Sequence, residues 1–387
     1  MILRKTLLAG GAVVALLASA SVGSAKTAAP AQQAATKPGP LCSTNLKTLR
    51  PHYPDPVKPL AGAASSLSGA GSTFVNPIMS LWASTYAGKG IKVAYQSIGS
   101  GGGIAQIQAQ TVDFGDSDIP MLDTELSAAK GGPILHIPVV VGGVVLTYNV
   151  KGVGAGHLHL DGPTIGKIFA GEITKWDDPA IKALNPSAKL PDEAISVVHR
   201  SDGSGTTFAF TDYLSKISDE WKSKVGSATS VKWPSGLGGK GSDGVAGTIA
   251  QNDGALGYIE LAYAVQNKLA YGSVQNKAGN YVTATTDAVQ AAMADFGTNM
   301  GDKLAVSIAN APGANSWPIA TYTYLLFYMD QQDCSKAQKI VAFYKWAQGA
   351  DGLKDEAALQ YIPLPDAVKT QALTKLGQIT CQGKPLP

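Results

Sequence analysis

From Leu67 onward the chain repeats one pattern: a short β-prone run, a cluster of Gly and hydroxyl residues, then a helical stretch. Strands alternating with helices imply an α/β fold whose sheets run mostly parallel. In such sheets ligands bind at the carboxyl ends of strands, beside helix N-termini. Two clusters stand out. The first is Gly69-Ala70-Gly71-Ser72-Thr73-Phe74, followed by Gly99-Ser100-Gly101-Gly102-Gly103. The second is Arg200-Ser201-Asp202-Gly203-Ser204-Gly205-Thr206-Thr207-Phe208. A helix N-terminus offers unpaired N–H groups and a partial positive charge. Several such ends meeting at one spot form an oxyanion site that needs little net charge.

The periodicity predicts a helix over 77–86, with Ile78, Leu81, Trp82 and Tyr86 at helical spacing. A strand over 91–95, a helix over 104–110 and a short strand over 112–118 follow. Residues 134–149 are strongly β-prone, and Gly142-Gly143 predicts a bend or crossover within them. A second unit starts there: helix 164–169, strand 195–198 feeding the Arg200 cluster, helix 207–217 and a buried strand over 254–259. A β-rich run over 319–328 and helices over 337–346 and 366–376 complete the chain. No internal repeat is evident.

Arg4 and Lys5 precede an apolar run over 7–17, and Ser24-Ala25 offers a small-residue cleavage site. This reads as a signal peptide over 1–25, cleaved after Ala25, and so as a periplasmic or otherwise exported protein. The apolar run falls short of the roughly 20 residues a bilayer span needs, which sets a membrane anchor aside. Cys42 lies too far behind it for lipid attachment, and no later run is long enough to span. Residues 26–57 read as an irregular arm, with an Ala, Pro, Gln, Thr and Ser-rich composition running on to about 65. Without Arg4 and Lys5 the formal charge drops from +3 to +1, which argues against nucleic acid as a partner. Charged residues make up only 15%, and 44 of the 387 residues are Gly, as suits backbone groups held close to a ligand. Of the three cysteines, one disulfide is expected in an exported chain. Cys334 with Cys381 is the favoured pair and Cys42 with Cys381 the alternative; the sequence does not choose. None lies in a CxxC pair, which argues against redox chemistry or zinc.

The ordered motifs resemble a known family. Gly69 to Phe74, Tyr95-Gln96-Ser97-Ile98-Gly99-Ser100-Gly101-Gly102-Gly103, Val112-Asp113-Phe114-Gly115-Asp116-Ser117-Asp118 and Arg200 to Thr206 look like the periplasmic phosphate-binding proteins of high-affinity phosphate ABC importers. The likeness continues through Ile173-Thr174-Lys175-Trp176-Asp177-Asp178, through the run from Trp233 to Gly241 and through Gly254-Ala255-Leu256-Gly257-Tyr258, and covers roughly 67–365. It implies an α/β, two-lobed periplasmic-binding-protein (type II) clamshell with a hinge and a ligand cleft. Lobe I would be 58–141 with 263–387, and lobe II 142–262. Inorganic phosphate would be the ligand, with no cofactor, and membrane permease subunits the partners of a monomer. Carried over residue by residue, Thr73 and Ser100 offer a hydroxyl and an N–H each, Phe74 an N–H and Asp118 a carboxylate. Arg200 offers its guanidinium, Ser204, Gly205 and Thr206 offer N–H and hydroxyl donors, and Asp202 orients Arg200.

The chemistry suits those residue types. N–H and hydroxyl groups satisfy four oxygens without adding full charges, and one Arg gives a bidentate contact. A carboxylate about 4 Å from an anion costs about 4 kcal/mol at an effective dielectric of roughly 20. That cost falls if the anion donates a proton, which phosphate retains at neutral pH and sulfate does not. Asp118 is therefore expected to select against sulfate.

Taken singly the features are bland. Gly99 to Gly103 is a turn without the Lys of a Walker A loop, Arg200 a surface ion pair, and Asp118 a cap. Their ordered combination makes the site. Trp82 and Trp346 are expected in the core. His157 and His159 read as loop residues rather than metal ligands, and Lys240 as a loop residue or a contact for the importer. The rival functions are an exported hydrolase or phosphatase, and a receptor of the same fold for sulfate, molybdate or an organic phosphate. Surface adhesion through the arm is a further one. Against catalysis, the chain has no G-x-S-x-G or H-E-x-x-H motif, and strand alternation turns His199 away from Arg200.

Overall fold

Fifteen of the sixteen residues of the strand Ile134–Asn149 are buried, so it is covered on both faces, and the rest of the molecule is arranged around it. A computed structural model describes residues 66–386. The signal peptide, the arm, Cys42 and the first residues assigned to lobe I lie outside the described residues. One mixed sheet contains β1 (Ser66–Gly71), β2 (Lys92–Ser97), β3 (Phe114–Ser117), β4 (Ile134–Asn149), β5 (Ser196–Arg200), β6 (Leu237–Gly239), β7 (Ala255–Glu260), β8 (Ala270–Tyr271) and β9 (Ala320–Tyr328). Their order is β2-β1-β3-β9-β4-β7-β5-β6, with β8 also on β4.

The sheet is parallel only in its wings, which corrects the expectation of a mostly parallel sheet. β1 pairs in parallel with β2 and β3, and β5 with β6 and β7. The centre is antiparallel, because β9 returns from late in the chain to lie between β3 and β4, and β4 meets β7 head to tail. Gly142-Gly143 does not break β4. The strand runs through, and its partner changes there, from β9 over 134–143 to β7 over 144–149. The glycines serve close packing instead: a Cβ on Gly142 would lie 2.6 Å from the Phe74 ring, and one on Gly143 3.3 Å from Trp317.

Four helices start at strand ends: α1 (Asn76–Ala87), α2 (Ser100–Gln108), α3 (Gly205–Ile217) and α4 (Gly241–Gln251). α2 begins four residues earlier than the sequence pattern suggests, so Gly101, Gly102 and Gly103 form its first turn rather than a loop. Trp82 and Trp346 are buried, and Tyr86 packs its ring 4.8 Å from that of Trp346. In the C-terminal region Cys334 and Cys381 are bonded, with 5.3 Å between their Cα atoms. The bond fastens the helix Cys334–Ala347 to the strand Thr380–Cys381, which also pairs with Asp330–Gln331.

Candidate functional site

Each wing of the sheet ends in loops that lead directly into helix N-termini, and those ends face one another. From one wing, Thr73 and Phe74 follow β1 and enter α1, Ser100 opens α2, and Asp118 follows β3. From the other, Arg200 ends β5, Ser204 caps α3 through a bond from the Thr207 N–H, and Gly205 and Thr206 form its first turn. All of these are buried, and only Asp202, with its side chain 14% exposed, reaches solvent.

The two sets touch. The Gly205 N–H donates to Ser100 Oγ (3.1 Å), and the Gly101 N–H to the Gly203 carbonyl (3.0 Å). The Ser242 N–H, at the start of α4, donates to Thr73 Oγ1 (3.1 Å), and the two hydroxyls lie 2.9 Å apart. Tyr263 donates its hydroxyl to the Thr73 carbonyl (2.7 Å). Gly99 adopts φ 87°, and a Cβ there would strike Asp202 Oδ2 at 2.4 Å. Arg200 donates Nε and one Nη to the two Asp202 oxygens at 2.8 and 2.5 Å, and the Gly241 N–H donates to the same carboxylate at 3.0 Å. Burial works against the Asp202 charge, but the Arg200 fork outweighs it and holds the carboxyl below its usual range.

Asp118 lies among hydroxyls. Ser72 Oγ donates to its Oδ2 at 2.7 Å, Thr323 Oγ1 to its Oδ1 at 2.8 Å, and Ser100 Oγ reaches Oδ2 at 3.4 Å. Burial pushes this carboxyl up to about 6, while the Ser72 and Thr323 hydroxyls and the nearby Arg200 charge hold it down. The Phe74 N–H donates to Ser72 Oγ (3.0 Å). Thr206 Oγ1 is buried without a hydrogen-bond partner, and an unsatisfied buried hydroxyl costs roughly 1–3 kcal/mol. Donor-rich helix ends, one guanidinium, one carboxylate and an unsatisfied hydroxyl suit a small oxyanion that itself brings a proton.

A model of the PBP superfamily domain matches residues 56–351. The chain is 46% identical over 300 residues to the phosphate-binding protein PstS of Xylella fastidiosa, covering 77% of this chain and 81% of that one. It is 44% identical over 330 residues to the PstS of Pasteurella multocida, covering 84% and 95%. The chain belongs to the PstS family. The fold is shared with a solved phosphate-binding protein from Stenotrophomonas maltophilia, at 20% identity and a TM-score of 0.60 over 80% of this chain and 94% of that one. A high-affinity periplasmic phosphate-binding protein solved with phosphate matches at 22% and 0.63 over 83% and 100%. This PstS-family chain is therefore a two-lobed α/β protein of the periplasmic-binding kind.

Beyond the residues named from its sequence, the family member's site also draws in Ser72, Ser242 and Thr323. Ser72 lies inside the first motif and Ser242 directly after Gly241, so both have a sequence signal. Thr323 has none. His199 stacks on Trp233 with ring centroids 4.9 Å apart, turned away from the Arg200 side chain as strand alternation requires. His159 stacks on Tyr281, and Lys240 is exposed. Among the described residues no cluster of His, Cys, Asp or Glu could hold a metal, and no helix is long and apolar enough to cross a membrane.

Proposed function

We propose that this chain captures inorganic phosphate between its lobes and hands it to the permease subunits of a phosphate ABC importer. It works as an exported, monomeric receptor rather than an enzyme, with its signal peptide removed after Ala25. The observation that carries this reading is the meeting of Thr73, Ser100 and Asp118 with Arg200 and Gly205 across one buried site. The change of partner along β4 at Gly142-Gly143 supports a hinge between 58–141 with 263–387 and 142–262. In the reading, the N–H groups of Thr73, Phe74, Ser100, Gly205 and Thr206 and the hydroxyls of Thr73, Ser100, Ser204 and Thr206 take phosphate oxygens. Arg200, held by Asp202, meets the charge, and Asp118 accepts the phosphate proton.

Binding must exchange partners. The Phe74 and Gly205 N–H groups, now on Ser72 and Ser100, turn to the ligand, while the Thr206 hydroxyl gains its first partner. The relatives are named phosphate-binding proteins, which supports a receptor rather than a hydrolase. Isothermal titration of the mature chain with phosphate, sulfate and arsenate tests the reading. Phosphate and arsenate, which keep a proton, should bind, and sulfate should bind far more weakly. Equal affinity for sulfate, or no heat with phosphate, refutes it.

A further inference from the structure

Asp118 has a neighbour that the binding reading leaves unused. Asp116, two residues earlier in β3, is fully buried. Thr323, on β9, places one hydroxyl between the two carboxyls, with Oγ1 2.8 Å from Asp118 Oδ1 and 3.3 Å from Asp116 Oδ1. One hydroxyl has one proton to give. If it goes to Asp118, the contact with Asp116 is oxygen against oxygen unless Asp116 brings a proton of its own. The other oxygen, Asp116 Oδ2, is buried with no hydrogen-bond partner, a condition far costlier for a carboxylate than for a carboxylic acid.

We propose that Asp116 keeps its proton and, through Thr323, is a positioning residue that holds Asp118 as the ionised acceptor, so that this pair sets the preference for an oxyanion still carrying a proton. The inference rests on the reading that Asp118 faces phosphate. The relay has a direction: the Asp116 O–H donates to Thr323 Oγ1, and Thr323 donates to Asp118 Oδ1. No bond is made or broken in it.

The electrostatics agree. Burial, then the Asp118 charge, pushes Asp116 well above the ordinary carboxylate range even though the Thr323 and Tyr95 hydroxyls and the Ser72 N–H pull it down, whereas Asp118 rises only to about 6. Tyr95 faces Asp116 from β2, with its hydroxyl on the Ser72 carbonyl (2.8 Å) and Tyr263 nearby. Asp118 faces Arg200 from β5, Glu260 from the end of β7, Tyr324 from β9, and Tyr361. Glu260, pushed up to about 8 by burial, titrates within the working range and is common to every variant below.

Phosphate and sulfate affinities are measured by titration on the full mature chain from pH 5 to 9, for wild type, Thr323→Val, Thr323→Ser, Asp116→Asn and Asp118→Asn. Thr323→Val removes a donor to a charged acceptor, and the phosphate-over-sulfate preference at pH 7 should fall roughly tenfold or more. Thr323→Ser, which restores the hydroxyl, should restore it. Asp116→Asn, a neutral mimic of the protonated acid, should keep the preference. An infrared difference spectrum, wild type minus Asp116→Asn at pH 8, should show the carbonyl stretch of an un-ionised carboxylic acid. A wild-type preference in Thr323→Val, or no such band, overturns the inference. If Asp118→Asn narrows the preference while Thr323→Val does not, only the relay fails. If Asp118→Asn leaves the preference intact, the assignment of Asp118 itself fails.

Discussion

At the scale of single residues, Asp118 is set by two opposing effects. Burial favours its neutral form, and the Ser72 and Thr323 hydroxyls with the Arg200 charge favour the ionised one. With a value of about 6, it is ionised at neutral pH and gains a proton in acid. Below about 6 the acceptor becomes a donor, and the reason to prefer a protonated guest disappears. The phosphate-over-sulfate preference should therefore shrink by roughly tenfold between pH 7.5 and 5, while Asp118→Asn should show a small preference that barely changes with pH. A wild-type preference that holds constant across that range contradicts this. Arg200→Ala removes the guanidinium proposed to meet the anion and leaves Asp202 without its partner, so phosphate affinity should fall by about 100-fold or more on titration. Ser72, Arg200 and Asp202 are legible in the sequence because they sit in Gly/hydroxyl clusters before a helix, whereas Asp118, at a strand end, is singled out only through the family resemblance. Thr323 is not legible, because a Thr between Tyr322 and Tyr324 in a buried strand looks like any other strand residue. Its importance comes only from the return of β9 alongside β3.

At the scale of elements, the sequence pattern places many of the strands and helices but misses β1, β6, α4 and the helices Thr286–Asp295 and Ala350–Ala358, and it does not give the strands' partners. The β9 run reads as a strand on its own residues, whereas its antiparallel position between β3 and β4 depends on contacts with residues 177 to 211 positions away, which no local period encodes. The Gly142-Gly143 pair misleads for a related reason. Glycine marks either a break or a close approach, and the approach of Phe74 is visible only in three dimensions. Glu260 ends β7, and its Oε2 accepts the Ala262 N–H at 2.7 Å. Burial raises it from 4.5 to about 8, so the folded protein holds a proton there that the unfolded chain gives up. The stabilisation is whole below about pH 4.5 and is lost as pH rises through about 8. Glu260→Gln should flatten that decline and be more stable than wild type at pH 9, by up to about 4 kcal/mol in denaturant unfolding. Parallel curves for the two proteins from pH 5 to 9 contradict it. The Cys334–Cys381 bond closes a loop with a sequence separation of 47. Replacing both with Ser should lower stability by roughly 2–4 kcal/mol and leave phosphate affinity near wild type.

At the scale of the whole molecule, the proposed capture of phosphate depends on the two lobes meeting. Gly205 reports on this most sharply, since a Cβ there would lie 2.5 Å from Asp118 Cβ and 2.6 Å from Ser100 Oγ. Gly205→Ala should strengthen α3 slightly by propensity but hold the lobes apart. Phosphate affinity should fall by about 100-fold with no loss of melting temperature in ligand-free protein, and normal affinity would mean that the lobes need not approach this closely. Ligand contacts shared by both lobes stabilise the closed state in proportion to how much better that state binds. Small-angle scattering of the mature wild-type chain, with and without saturating phosphate, reads that equilibrium directly. The radius of gyration should fall on adding phosphate and stay unchanged with sulfate; an identical radius with and without phosphate would contradict capture by closing lobes.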